Sequence, residues 1–321
     1  MQKNIAVIGC GYWGKNLIRN YFELGALYSV CDQNIILASE YSESFNVKVQ
    51  DYDEILNDKN IDGVVIASPA PTHMDLCCSL IEANKNIFVE KPLCMNMNEA
   101  NQIKNALRNK DSILMVGHLL QYHPGYRKLI SEIRSGKHGE VKHIISKRNS
   151  FGRIRSNEDV LWSFAPHDIS MILGISQSYP KKINRTDYSF IQKGLADRSL
   201  LSLEFDNYDA SIEVSWMYPS KEQNITVICE DSILIFNDTL PWNEKVSCLS
   251  YECSINANKE KVLTKKNIEY FALPNESEPL KLECKHFLDL IDKKVDNITN
   301  IDEAMRVIQV LEAAVCSESN L

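Results

Sequence analysis

Short runs of β-branched and aliphatic residues alternate with helical patterns over the first third of the chain. The runs are Ile5 to Ile8, Leu27 to Cys31, Val47 to Val49, Gly63 to Ala67, Asn86 to Val89 and Ile113 to Val116. Between them apolar residues recur at three-to-four spacing, as in Leu76, Cys77, Leu80 and Ile81, or Ala100, Ile103 and Leu107. That is the period of a helix with one buried face. Uninterrupted apolar strands separated by helices predict a parallel sheet covered on both sides.

After residue 118 the pattern changes. One helical stretch, Tyr126 to Arg134, precedes a strand-like run from Val141 to Arg148. A loop rich in Arg, Ser and Asn, Asn149 to Asp159, leads to a short helix expected to begin near His167. Long alternating runs follow without helices between them: Ser199 to Phe205, Ala210 to Met217, Asn224 to Cys229 and Ile233 to Phe236. These predict an antiparallel sheet. Two helical patterns close the chain, Leu280 to Asp292 and Ile301 to Ser317.

Composition narrows the function. A chain of 321 residues, 44% of them hydrophobic, suffices for two domains with their own cores. The formal net charge of -8 lacks the basic face that phosphate neutralisation needs, so a nucleic-acid partner is not expected. No run approaches the ~18 apolar residues of a membrane span, and Met1 to Gly9 lacks a signal-peptide pattern, so a cytoplasmic location is expected. The ten cysteines are spread along the chain with no C-x-x-C pair, and no two histidines have helical ligand spacing. Reduced thiols and no metal site are the expectation.

The first strand runs into Gly9-Cys10-Gly11-Tyr12-Trp13-Gly14, a G-x-G-x-x-G loop that opens a helical pattern. Asp32 ends the next strand. Glycines there permit a tight turn and close backbone approach to a pyrophosphate at the helix N-terminus, so the motif in this context predicts dinucleotide binding. Gly9 to Lys15 also matches the start of a nucleotide-triphosphate loop, but Asn16 stands where that loop needs a hydroxyl for magnesium. Asp32 suits the two ribose hydroxyls of NAD and repels the 2'-phosphate of NADP, and no Arg follows it. A further strand ends in Glu90-Lys91-Pro92; strand carboxyl ends face the ligand crevice, which directs Lys91 toward a nicotinamide.

These motifs, in order, resemble the Gfo/Idh/MocA oxidoreductase family. The resemblance rests on Gly9 to Gly14, Ser68-Pro69-Ala70-Pro71-Thr72-His73, Glu90-Lys91-Pro92, Gly117-His118 with His123-Pro124, Trp162 to Asp168, and Ser215-Trp216 through Pro219. It implies an α/β protein with a Rossmann domain over 1–118. An α/β domain for substrate binding and oligomerisation, with a large open, mainly antiparallel sheet, would occupy 119–321. It implies NAD held by Gly9, Gly11, Tyr12, Trp13, Gly14, Asp32, Ser68, Pro69, His73, Glu90 and Lys91, and catalysis by Lys91 and His167.

Many members carry an Asp four residues before that histidine, where this chain has Ser163. Acid/base duty is then divided differently: His167, at an expected helix start whose positive end lowers its pKa, is read as the base, with Lys91 polarising the hydroxyl and the reverse assignment open.

The segments Gly11 to Asn16, Trp162 to Ile172 and Glu283 to Phe287 look most like the branch acting on nucleotide-linked amino sugars. That implies oxidation of the 3-hydroxyl of UDP-N-acetylglucosamine to a 3-keto sugar for an aminotransferase, as in lipid A synthesis. Arg148, Arg153 and Arg155 would meet the diphosphate; Tyr122, Trp162, His167 and Asp168 would line the sugar. A UDP-acetamido-glucuronate, another sugar, or a non-catalytic nucleotide-sensing role are the alternatives. Homodimers or homotetramers are expected through the open sheet, on a face carrying Ile212, Val214 and Trp216.

Overall fold

The computed structural model describes residues 2–152, 154–155, 158–256, 258–316 and 318–319. The chain forms two compact units, one of residues 1–122 with 277–309 and one of residues 123–276 with 310–321.

In the first unit the apolar runs become β1 (Ile5–Ile8), β2 (Leu27–Cys31), β3 (Lys48–Val49), β4 (Gly63–Ile66), β5 (Asn86–Glu90) and β6 (Leu114–Gly117). The connecting helices are α1 (Gly14–Glu23), α2 (Ile35–Phe45), α3 (Tyr52–Asn57), α4 (His73–Glu82) and α5 (Met97–Leu107). The strands pair in parallel in the order β3-β2-β1-β4-β5-β6, the doubly wound arrangement the pattern predicts. Every residue of β1, β4 and β6 is buried, which is why these strands read as unbroken apolar runs rather than alternating ones.

The second unit contains α6 (Pro124–Arg134), β7 (Val141–Phe151), α7 (Val160–Ser176), β8 (Lys182–Tyr188), β9 (Arg198–Glu204), β10 (Asp209–Ser215), β11 (Met217–Cys229), β12 (Ser232–Asn237), β13 (Val246–Ile255) and β14 (Lys261–Tyr270). The chain then returns through α8 (Pro279–Ile291) and α9 (Ile301–Cys316) to β15 (Glu318–Ser319). The second sheet runs β14-β13-β12-β11-β7-β10-β9-β8-β15. It is mainly antiparallel, but β7 with β10 and β8 with β15 are parallel pairs. Alternate residues from neighbouring strands, such as Ile144, Ile212, Leu201, Val227, Leu234 and Val246, are buried on one face, which α6 and α7 cover.

Three features differ from the linear reading. Residues 277–309 belong to the first unit, because the α8 stripe Leu280, Cys284, Phe287 and Leu290 is buried in one cluster with Leu17, Tyr21 and Phe88. The helix carrying His167 begins at Val160, with the Asp159 carboxylate accepting the Trp162 N–H at 3.0 Å. Pro166, which suggests a start, lies inside it; the helix tolerates the missing donor because most of its sides are packed. Ile212, Val214 and Trp216 are 1%, 0% and 1% exposed and lie on the helix-covered face, so they cannot supply an assembly surface. The uncovered face instead presents half-buried Ile145, Leu200, Ile228, Ile233 and Ile235.

A buried ion pair fastens α7 to its sheet. The Arg148 Nε on β7 donates to Asp168 Oδ2 at 2.7 Å, and the Ser146 hydroxyl donates to Oδ1 at 2.6 Å. Removing one partner strands a charge, so Asp168→Ala is expected to lower unfolding free energy by about 3–5 kcal/mol. The joint replacement Arg148→Met/Asp168→Leu should cost much less, as urea denaturation of each variant will measure.

Candidate functional site

The glycine loop at the end of β1 is built around one close contact. Gly9 has φ of +97°, and a Cβ on Gly14 would lie 1.9 Å from the Gly9 carbonyl oxygen. The first and third glycines are therefore needed for the turn and for seating α1 on it. Gly11 is different: a Cβ there would meet nothing within 4 Å, so that position borders open space. The start of α1 has no side-chain cap, which leaves its first-turn amides available to an anion. Tyr12 and Trp13, within the loop, are 68% and 38% exposed. These residues fit a dinucleotide pyrophosphate.

Asp32 follows β2. Its Oδ2 accepts the Cys10 N–H at 2.7 Å and its Oδ1 the Asn34 N–H at 2.8 Å. Both oxygens are thus fixed by backbone while each keeps a further acceptor position for a ribose hydroxyl. Asn34 caps α2 immediately after it.

After β4, Ser68 bonds Thr72 at 2.7 Å and Pro69 is exposed. His73 is 1% exposed, and its two ring nitrogens lie 2.9 Å from the carbonyl oxygens of Pro92 and Ser68. Burial pushes its pKa down against the pull of those carbonyls. Its visible work is to brace this loop against the segment after Lys91. Glu90 ends β5, and its Oε1 accepts the Trp13 indole N–H at 2.5 Å. Lys91 follows, half-buried.

Two acids lie buried near this strand end. Burial raises the Glu90 pKa to about 7, against hydrogen bonding from Trp13 and the nearby Lys91 and His118 charges. Glu283 on α8 is 1% exposed, and burial together with Glu90 pushes its pKa well above the carboxylate range. The sequence reading uses Glu283 only as part of a resembling segment and gives it no place in the site. A signal was present, since this acid stands on the apolar stripe Leu280, Cys284 and Phe287.

In the second unit His167 lies half-buried in the middle of α7, and not at the helix start where the sequence reading puts it. Trp162 is half-buried and Ser163 buried on the same helix. Arg148 is 8% exposed and committed to Asp168, which removes both from the role of open substrate ligands. Arg155 is exposed and pairs with Glu158 at 3.0 Å; Arg153 lies outside the described residues. Tyr122, in the first unit, is 4% exposed with its hydroxyl 2.8 Å from that of Thr299, so it is a packing residue and not a platform for a sugar. Among the described residues no cluster of His, Cys, Asp and Glu could hold a metal ion, and no helix is long and apolar enough to cross a membrane.

Residues 3–118 match the Gfo/Idh/MocA family model, described as an oxidoreductase family with an NAD-binding Rossmann fold. Over those residues the chain is similar to that family. An uncharacterized oxidoreductase, YrbE, of Bacillus subtilis is 25% identical over 64% of this chain and 65% of its own. Inositol 2-dehydrogenase of Azotobacter vinelandii is 28% identical over 54% of each chain. UDP-N-acetylglucosamine 3-dehydrogenase of Acidithiobacillus ferrooxidans is 24% identical over 54% of each. The chain thus spans between about half and two thirds of the length of these relatives. A solved structure of the Acidithiobacillus enzyme superposes with a TM-score of 0.86 at 18% identity, covering 99% of this chain and 98% of that one. That likeness extends the shared fold through the second unit.

The loop geometry separates two glycine substitutions. Gly14→Ala should destabilise the protein by on the order of 3 kcal/mol, since backbone must move to admit the methyl group. Gly11→Ala should leave stability near wild type while weakening NAD binding, and thermal unfolding with calorimetric titration distinguishes the two.

The raised Glu283 pKa fixes the sign of a pH effect. The folded state holds this proton more tightly than the unfolded chain, so its stabilising contribution is present below the ordinary Glu pKa and is lost as pH rises toward the folded value. Glu283→Gln should therefore gain stability over wild type between pH 5 and pH 8, by up to about 1.4 kcal/mol per pH unit. Urea titrations across that range measure it.

Proposed function

We propose that this protein is an NAD-dependent dehydrogenase that oxidises a secondary hydroxyl of a sugar-like ring, with the 3-hydroxyl of UDP-N-acetylglucosamine as its substrate group. The observation that carries the reading is Lys91 at the carboxyl end of β5, in the same parallel sheet as a glycine loop that fits a dinucleotide. The relative acting on UDP-N-acetylglucosamine supports the substrate; the inositol 2-dehydrogenase relative supports a second reading, in which the ring is a cyclitol.

NAD, when bound, supplies the hydride acceptor. The loop Gly9 to Gly14 would hold its pyrophosphate and Asp32 its adenosine ribose. Lys91 has an ammonium suited to polarising a hydroxyl, and His167 an imidazole suited to taking the hydroxyl proton. Ser163 cannot share that charge as a carboxylate would. Arg155 is the side chain we assign to the diphosphate, since it is exposed and its Glu158 pair lies at the surface, whereas Arg148 is buried against Asp168. The 3-keto product would pass to an aminotransferase.

The test is to offer UDP-N-acetylglucosamine and myo-inositol separately with NAD and to follow absorbance of the reduced nicotinamide, with an aminotransferase added to remove ketone. Reduction with the UDP-sugar is expected, with deuterium at C3 appearing in the reduced cofactor. Lys91→Ala and His167→Ala should each lower kcat by roughly 10²-fold or more with NAD affinity retained. Turnover with myo-inositol alone selects the cyclitol reading. NAD binding with no alcohol oxidised would sink the enzyme reading in favour of a nucleotide sensor.

A further inference from the structure

The end of β5 contains acid chemistry that the proposed reaction does not use. Glu90 is 8% exposed, and its two carboxyl oxygens face different partners: Oε1 takes the Trp13 indole N–H, and Oε2 lies 3.3 Å from the Lys91 backbone N–H. Gly117, ending β6, makes room for it, because a Cβ there would sit 3.0 Å from Oε2. Trp13 belongs to the glycine loop and Lys91 to the strand end, so one carboxyl group joins the two.

The surroundings decide how that carboxyl ionises. It is faced by Trp13 of the glycine loop and Tyr21 of α1, and from α8 by Glu283 and Cys284. Lys91 is its chain neighbour, and His118, paired with Glu303 at 2.5 Å, follows β6. Lys91 and His118 favour its charge, and that charge in turn opposes ionisation of Glu283. Neither carboxyl oxygen of Glu283 has a hydrogen-bond partner among the described residues. A buried carboxylate without donors is strongly disfavoured, so Glu283 stays neutral and the cluster holds its negative charge on Glu90, where the donors are.

We propose that Glu90 is a positioning residue whose ionised carboxylate clasps Trp13 of the glycine loop to the strand end at Lys91, so that dinucleotide binding and loss of the Glu90 proton are coupled. An ionised carboxylate accepts the indole N–H more strongly than a neutral acid does. A loop held in place binds NAD better, and by linkage NAD binding must then favour the ionised form. Burial places the titration of Glu90 near pH 7, where this coupling is measurable. The inference rests on the cofactor and does not depend on the substrate.

Two measurements on the full chain test it. In the ligand-free protein the Trp13 indole 15N–1H resonance, assigned by its loss in Trp13→Phe, should titrate near pH 7. It should not titrate in Glu90→Gln, and should still titrate near pH 7 in Glu283→Gln, whose parent acid is already neutral there. Calorimetry of NAD binding in two buffers of different ionisation enthalpy should show proton release at pH 7, with affinity rising about threefold from pH 6 to pH 8. Glu90→Gln should bind NAD without proton release and without that pH dependence.

A Trp13 resonance that does not titrate, equal proton release in Glu90→Gln, or no release from wild type would each overturn the proposal. Failure to oxidise any alcohol while these binding results hold would remove the dehydrogenase reading and leave this one standing.

Discussion

A strand buried on both faces can present polar chemistry only where it ends, and the first unit follows from that constraint. β1, β4 and β6 are buried throughout, so their side chains are spent on packing. Parallel pairing then puts all the carboxyl ends on one edge of the sheet. Gly9 follows β1, Asp32 follows β2, Ser68 lies just beyond β4, Lys91 follows β5 and His118 follows β6. Residues spread over more than 100 positions of sequence thereby share one edge, and the closest packing there, Gly14 on the Gly9 carbonyl, fixes where α1 begins.

The second unit obeys another rule. Its sheet is covered by helices on one face, so apolar residues alternate, and polar groups pointing under the helices must find partners. Arg148, Ser146 and Asp168 satisfy one another there, as do Trp216 and Asp197, whose indole-to-carboxylate hydrogen bond is 2.6 Å. Such pairs hold α7 on the sheet, and with it His167. An arginine in this setting works in packing and cannot also serve as an open anion ligand.

The buried acids of the first unit show how burial converts common residues into tuned ones. Glu90 and Glu283 are ordinary in composition, but with no water to solvate a second charge the pair separates into one ionising near neutrality and one kept neutral. Hydrogen-bond donors decide which is which. Trp13 and the Lys91 amide serve Glu90, whereas neither Glu283 oxygen has a hydrogen-bond partner among the described residues.

The sequence by itself determined the parallel sheet, the glycine loop, Asp32 and Lys91 at strand ends, and the change to a mainly antiparallel sheet, because each is written in local periodicity or in a motif a few residues long. It also placed α6, α8 and α9 nearly to their ends. What lay beyond it depends on contacts between distant segments. The return of residues 277–309 to the first unit brings Glu283 near Glu90, and nothing local foretells that. The true start of α7 was hidden by Pro166 and by a helix apolar on most sides, which gives no stripe to read. Which face of β10 is covered, and whether Arg148 is open or paired, is settled only when helix and sheet meet, since the same alternating strand and the same charged side chain are compatible with either outcome until a partner is packed against them.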